Sequence, residues 1–177
     1  MAIVRKKALI GRSINTVVDD RDLSSLVSEL QGVGLYEVPL NVDRVAEYLG
    51  LEVVEELMED DISGYLEFKS GQWVAGLNAL HHRNRQRFTL AHELAHFVLH
   101  RNERASFVDH TFTRREGMAD PVESEADRFA AELLMPEVAV RSFVREGLTN
   151  LTKLAEKFQV SLLAMRYRVK NLGFQVK

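Results

Sequence analysis

An α+β domain is what this sequence predicts, on three observations. Apolar residues recur at helical spacing before residue 50 and again from about residue 85 onward. Between them lie short runs rich in Val, Tyr, Phe and Trp, separated by a Ser-Gly turn. The chain is 177 residues long with 46% hydrophobic content, enough to bury the core of one domain with a small appendage.

Each element has a local reason. Asp22 precedes Leu23, Leu26, Val27 and Leu30, an amphipathic helix stopped by Gly32 and Gly34. Pro39 and Asn41 introduce a second short helix carrying Val42, Val45, Ala46 and Leu49, ended by Gly50. Leu51 to Leu57, with Val53 and Val54, reads as a strand. Gly64 to Phe68 and Gln72 to Leu77 flank Lys69-Ser70-Gly71 and read as a hairpin, with Trp73 expected in the core. A helix follows from about Arg85 to His100. Residues 101 to 122, polar and closed by Pro121, read as a long loop able to gate a site. A further apolar helical run ends at Leu133-Leu134-Met135-Pro136.

The chemistry concentrates in two places. In His92-Glu93-Leu94-Ala95-His96 the two histidines are four apart, hence on one helix face, and can offer two imidazoles to one metal. Glu93, one step round, could take a proton from a water at that metal without occupying it. A catalytic site needs a third protein ligand, which Glu123 or Glu125 could supply from the later helix. Glu123 is favoured because Asp127 then shares its face and can hydrogen-bond the far nitrogen of a ligand histidine. His100 extends the series, but steps of four drift by about 40° each, so it reads as a helix-end residue. Tyr65, His81, His82 and His110 are the candidates for stabilising an oxyanion, and none stands out.

The blocks Arg87-Phe88-Thr89-Leu90-Ala91-His92-Glu93-Leu94-Ala95-His96 and Glu123-Ser124-Glu125-Ala126-Asp127-Arg128-Phe129-Ala130-Ala131-Glu132-Leu133-Leu134-Met135-Pro136 resemble the ImmA/IrrE family of metallopeptidases. The resemblance extends more loosely from about residue 25 to the C-terminus. It implies a minimal gluzincin-like core and a zinc endopeptidase, with His92, His96 and Glu123 as zinc ligands and Glu93 as general base. It further implies a protein substrate, commonly a DNA-binding repressor. Mn or Fe could replace zinc, because histidine and carboxylate ligands accept several divalent ions.

Residues 137 to 177 carry eight basic and three acidic side chains, net +5, against −8 in residues 1 to 136, which restores the overall −3. These two stretches are expected to be a peptidase-like domain and a C-terminal helical segment. Leu154 to Ser161, then Ala164 and Arg168 to Gly173, resemble a helix-turn-helix in which Ser161 caps the second helix. Leu151, Leu154, Phe158, Val160, Leu162, Met165 and Val169 would form its core. Arg166, Arg168 and Lys170 would be its phosphate contacts, although Gln159 stands where such turns often place Gly. The competing reading is therefore a DNA-binding or toxin–antitoxin partner module whose metal site is structural or vestigial. A structural zinc site is closed by four protein ligands, whereas three ligands plus a base favour the enzyme. The absence of Cys excludes disulfides and thiolate metal sites. With no apolar run long enough for a signal peptide or membrane span, a cytoplasmic protein is expected.

Overall fold

The computed structural model describes residues 4–5, 22–110 and 120–175. In chain order these form β1 (Val4–Arg5), α1 (Leu23–Gly32), α2 (Val42–Tyr48), β2 (Glu52–Glu56), β3 (Ile62–Lys69), β4 (Gln72–Asn78) and α3 (Arg83–Ala95). The helix continues as a π-helical turn over His96–His100 and is followed by β5 (Ser106–His110). Then come α4 (Pro121–Leu134), α5 (Glu137–Arg145), α6 (Leu151–Phe158) and α7 (Leu162–Asn171). The architecture is α+β.

Capping side chains set the helix starts. Asp22 accepts from the Ser25 amide at 2.8 Å, and Asn41 accepts from the Arg44 amide at 3.2 Å. Asp120 accepts from the Val122 amide at 3.0 Å, with Pro121 in the first turn, where no amide hydrogen is needed. Ser161 caps α7 through the Ala164 amide at 3.0 Å. The hairpin between β3 and β4 turns at Ser70 and Gly71, both at positive φ (54° and 82°), the twist that suits a two-residue hairpin loop.

The sheet has five strands in the order β1-β2-β4-β3-β5, with β2 and β4 parallel and every other pair antiparallel. Two strands of this sheet depart from the sequence expectations. Residues 101 to 122 are not a plain loop, because Ser106–His110 pairs with β3. The β3 strand, half of the expected hairpin, lies between β4 and β5, so among the described residues β5 is the edge strand on that side. Val4–Arg5 forms a strand against β2 that the sequence reading did not anticipate. The part of the expected gate at 111–119 lies outside the described residues.

Helix α3 packs between the sheet and α4, and it is buried from Gln86 onward apart from half-buried Phe88. Leu66, Ala75 and Leu77 of the sheet, Leu90 and Leu94 of α3, and Phe129 and Leu133 of α4 contribute to one core. Trp73 borders it, tilted against Phe68 and edge-on to Phe97 at ring separations of 5.4 and 6.2 Å. Close approach of α3 to β3 depends on Gly64. A Cβ there would lie 2.5 Å from Thr89 Cγ2 and 2.6 Å from the Gly76 carbonyl oxygen.

The C-terminal helices dock on the first turns of α3. Asn84 Nδ2 donates to the Val160 carbonyl at 3.0 Å, and the buried Arg87 donates to the carbonyls of Gln159 at 3.1 Å and Leu40 at 2.8 Å. Gln159 adopts the left-handed conformation (φ 52°) that ends α6, so the turn forms without the usual Gly. Leu154, Phe158, Val160, Met165 and Val169 are buried as expected, but Leu162 is 50% exposed and does not belong to that core. Arg168 is likewise not free for phosphate. Its guanidinium pairs closely with Glu132 and donates to the Met135 carbonyl at 2.8 Å.

A glycine pair tests this packing. Gly64→Ala should cost about 1–3 kcal/mol, because the new methyl overpacks against backbone. That lowers Tm by several degrees, at roughly 2–4 °C per kcal/mol for a chain of this size. Gly32→Ala, where a Cβ meets nothing within 4 Å, should be neutral or stabilising. Thermal unfolding checks both, and equal Tm values for Gly64→Ala and the parent would contradict the packing described.

Candidate metal centre

His92 and His96 project from the same side of the buried helix α3, and their Nε2 atoms lie 3.0 Å apart. Helix α4 crosses α3 and brings Glu123, in its first turn, to the same point. Glu123 Oε2 is 3.1 Å from His92 Nε2, and its Oε1 is 3.6 Å from His96 Nε2. One ligand atom from each residue lies within 4.8 Å of the other two. Ligands at 2.0–2.1 Å from a shared tetrahedral ion sit about 3.3 Å from one another, so the spacing suits zinc. The donor set suits it as well, since two imidazoles and a carboxylate leave a fourth position open.

The surroundings orient these groups. His92 Nδ1 lies 3.1 Å from Asp127 Oδ1, one helical turn beyond Glu123 on α4. A proton on Nδ1 held by that carboxylate leaves the Nε2 lone pair for a metal. Phe107 of β5 stacks on the His96 ring with centroids 4.4 Å apart and planes within 16°. His96 Nδ1 meets His100 Nδ1 at 3.1 Å, and His100 Nε2 lies 3.4 Å from Glu125 Oε2. His100 is therefore both the last residue of this helix, as expected, and a buried neighbour of the site. Glu125, the alternative ligand, turns to His100 instead.

Glu93 is fully buried, and neither carboxylate oxygen has a hydrogen-bond partner among the described residues. Its Oε1 lies 3.4 Å from where a Cβ on Gly64 would stand, so the missing side chain leaves room beside it. Burial pushes the Glu93 carboxyl well above the ordinary range, against the pull of His92, while Asp109 and Glu123 add to the rise. For His92 burial lowers the pKa, but its hydrogen bonds to Asp127 and Glu123 outweigh this and hold it well above the usual value. His96 is lowered, first by burial. Glu123 is held below the usual carboxylate range, chiefly by its hydrogen bonds with His92 and His96.

Sequence reasoning missed Asp109. It pairs with Gly64 in the β3–β5 register, so both face α3. Burial raises its carboxyl, with His92 opposing and Asp127 and Glu123 reinforcing. Exposed Ser106 and Val108 alternate with buried Phe107 and half-buried Asp109, but Ser-Phe-Val-Asp does not alternate in polarity, so no period-two signal marked the strand in the sequence. Beside it the β3–β5 register shifts between Ile62 and Gly64, and buried Ser63 accepts from Arg85 Nη2 at 3.1 Å. Such bulges re-aim side chains near sites.

The oxyanion candidates do not converge here. Tyr65 faces away from α3, its ring lies where a Gly76 side chain would be, and its hydroxyl donates to Glu56 at 2.6 Å. His82 caps α3, accepting from the Asn84 amide at 3.1 Å. His81 has a buried Nδ1 with no partner among the described residues, and burial lowers its pKa. The side chain of His110 lies outside the described residues.

Residues 46–170 match the family described as IrrE N-terminal-like domain, a family of peptidases. The chain is also similar to "Uncharacterized immunity region protein 2" of Bacillus phage phi105, at 26% identity over 103 residues. That alignment covers 58% of this chain and 63% of the phage protein.

The orphaned carboxyl carries a pH signature. A raised folded-state pKa means that the native metal-free chain holds a proton the unfolded chain releases above about pH 4.3, so this contribution to stability is lost as pH rises. Metal-free Glu93→Gln should therefore gain on the metal-free parent as pH goes from about 5 to 8, by at least about 1 kcal/mol or roughly 2–4 °C in Tm. Thermal unfolding in chelator across that range checks it. A constant difference between the two proteins would contradict the burial assigned to Glu93.

Proposed function

This chain belongs to the IrrE N-terminal-like family of peptidases, and on that basis we propose that it is a zinc-dependent endopeptidase that cuts a regulatory protein. The observation that carries the reading is the fully buried Glu93 carboxyl, without a hydrogen-bond partner among the described residues, beside three converging candidate ligand atoms. A buried acceptor with no partner is costly in a purely structural role but suits a base that waits for water.

His92, His96 and Glu123 would hold the ion. The ion supplies Lewis acidity, making water acidic near pH 7 and polarising a carbonyl. Asp127 keeps the proton of His92 on Nδ1. Glu93 takes a proton from water and hands it to the departing amine nitrogen, so that one carboxylate serves as base and then acid. An extended substrate can add to the sheet beside β5, whose Phe107 and Asp109 already face the site.

The phage relative is named for an immunity region, and we extend a regulatory setting of that kind to this chain. The substrate proposed is a DNA-binding helix-turn-helix repressor, encountered in the cytoplasm. No described helix is long and apolar enough to cross a membrane. The outer face of α7 suits a protein better than DNA. Leu162, Leu163 and Tyr167 are each at least half exposed there, beside exposed Arg166 and Lys170, while Arg168 is engaged inward. Apolar groups contribute nothing to phosphate binding but do contribute to docking on a protein surface.

Protein purified without chelator should contain about one zinc per chain, and His92→Ala should lose it. Glu93→Gln should keep the metal while cleavage of the host's helix-turn-helix repressors falls at least about a hundredfold. A variant that cuts like the parent would remove Glu93 from the chemistry. Neutralising Arg166 and Lys170 together should weaken cleavage without changing metal content. Parent DNA affinity should stay at the non-specific level of about 10⁻⁴–10⁻⁶ M, and nanomolar sequence-selective binding would favour the DNA-binding module instead.

A further inference from the structure

We propose that His100 is a positioning residue that fixes His96 as a metal ligand and ties it, through a second imidazole, to Glu125. The inference rests on the metal-site reading above and assigns a role to two residues that the reaction itself does not use. Both ring nitrogens of His100 are engaged. Its Nδ1 lies 3.1 Å from His96 Nδ1, and its Nε2 lies 3.4 Å from Glu125 Oε2.

One arrangement of protons satisfies the whole chain. For His96 to offer Nε2 to a metal, its proton must sit on Nδ1. That proton is donated to Nδ1 of His100, which must then carry its own proton on Nε2 and donate it to Glu125. A carboxylate at the end accepts without needing a proton of its own. The two ligand histidines are thus anchored to the same helix, His92 directly by Asp127 and His96 through His100 by Glu125.

The backbone is shaped to allow this. In an α-helix four residues overshoot a full turn by about 40°, so three histidines at this spacing would fan out. The final turn, His96–His100, is π-helical, and its wider turn rotates less per residue. His100 is swung back against His96, with ring centroids 5.2 Å apart and Phe107 packed on both. His100 is 3% exposed, whereas the Glu125 side chain is 48% exposed, so the far end of the chain can be altered without opening the core.

The test measures zinc affinity of the full-length protein by competition with a chromophoric chelator, and thermal unfolding of the metal-free form. Loss of a partner of this kind typically weakens metal binding 10- to 100-fold. His100→Phe should fall in that range and Glu125→Ala near its lower end, with metal-free Tm values close to the parent's. The double variant should be no weaker than His100→Phe alone, because Glu125 acts through His100. Cobalt-loaded His100→Phe should show an altered ligand-field spectrum, and His100→Gln should recover part of the affinity.

Parent-like zinc affinity in Glu125→Ala would overturn the proposal, and this arm decides if His100→Phe fails to fold. So would additive losses in the double variant, which would mean that Glu125 acts by charge alone. A lower metal-free Tm with unchanged affinity would show a merely structural histidine and overturn it as well. The measurement needs no substrate, so a chain that binds zinc in this His100-dependent way yet cuts nothing sinks only the peptidase reading. A parent that binds no zinc sinks both.

Discussion

Close packing of α3 against α4 is the interaction on which the rest of the structure depends. The candidate ligands His92 and His96 belong to one helix and Glu123 to the other, so the three come together only where the two helices meet. Both helices bury small residues, which permits a close approach. Ala91 and Ala95 on α3, and Ala126 and Ala130 on α4, are all fully buried, and interaxial distance follows side-chain size at the contact. On the other side Gly64 lets β3 approach the same helix beside Thr89 and Glu93. A helix clamped on two faces cannot drift, and that holds ligand atoms at fixed separations.

The clamp has a cost, because α3 buries polar groups along much of its length. Most are answered: Gln86 donates to the Asn78 carbonyl at 3.1 Å, Arg87 to two carbonyls, and His92 lies against Asp127. Glu93 is the exception, and exceptions among buried polar groups concentrate at functional sites. The same helix also holds the C-terminal unit, through Asn84 and Arg87 and the left-handed turn at Gln159.

Much of this was legible in the sequence, for reasons that can be located. The i, i+4 spacing of His92 and His96, and of Glu123 and Asp127, translates directly into shared helix faces, and the structure brings those four side chains together. Helix starts at Asp22, Asn41 and Ser161 were readable because a capping side chain acts within three residues of its own position. What was missed depends on partners distant in sequence. β5 is a strand because β3 is there to pair with it, and its Asp109 reaches the site only through that pairing. Arg168 reads as a basic surface residue until Glu132 and the Met135 carbonyl meet it. His100 was set aside as a ligand, and it stays outside the group of His92, His96 and Glu123, but the π turn that brings it against His96 leaves no mark in the local sequence.

In the proposed centre, α3 and α4 together supply two imidazoles and one carboxylate to a single ion with a position left open. X-ray absorption at the zinc edge of the loaded protein tests it most directly. Two histidine nitrogens at about 2.0–2.1 Å and oxygen neighbours at about 2.0–2.2 Å, one of them from solvent, are expected. A spectrum fitted by a single imidazole, or by four protein ligands with no solvent oxygen, would contradict it.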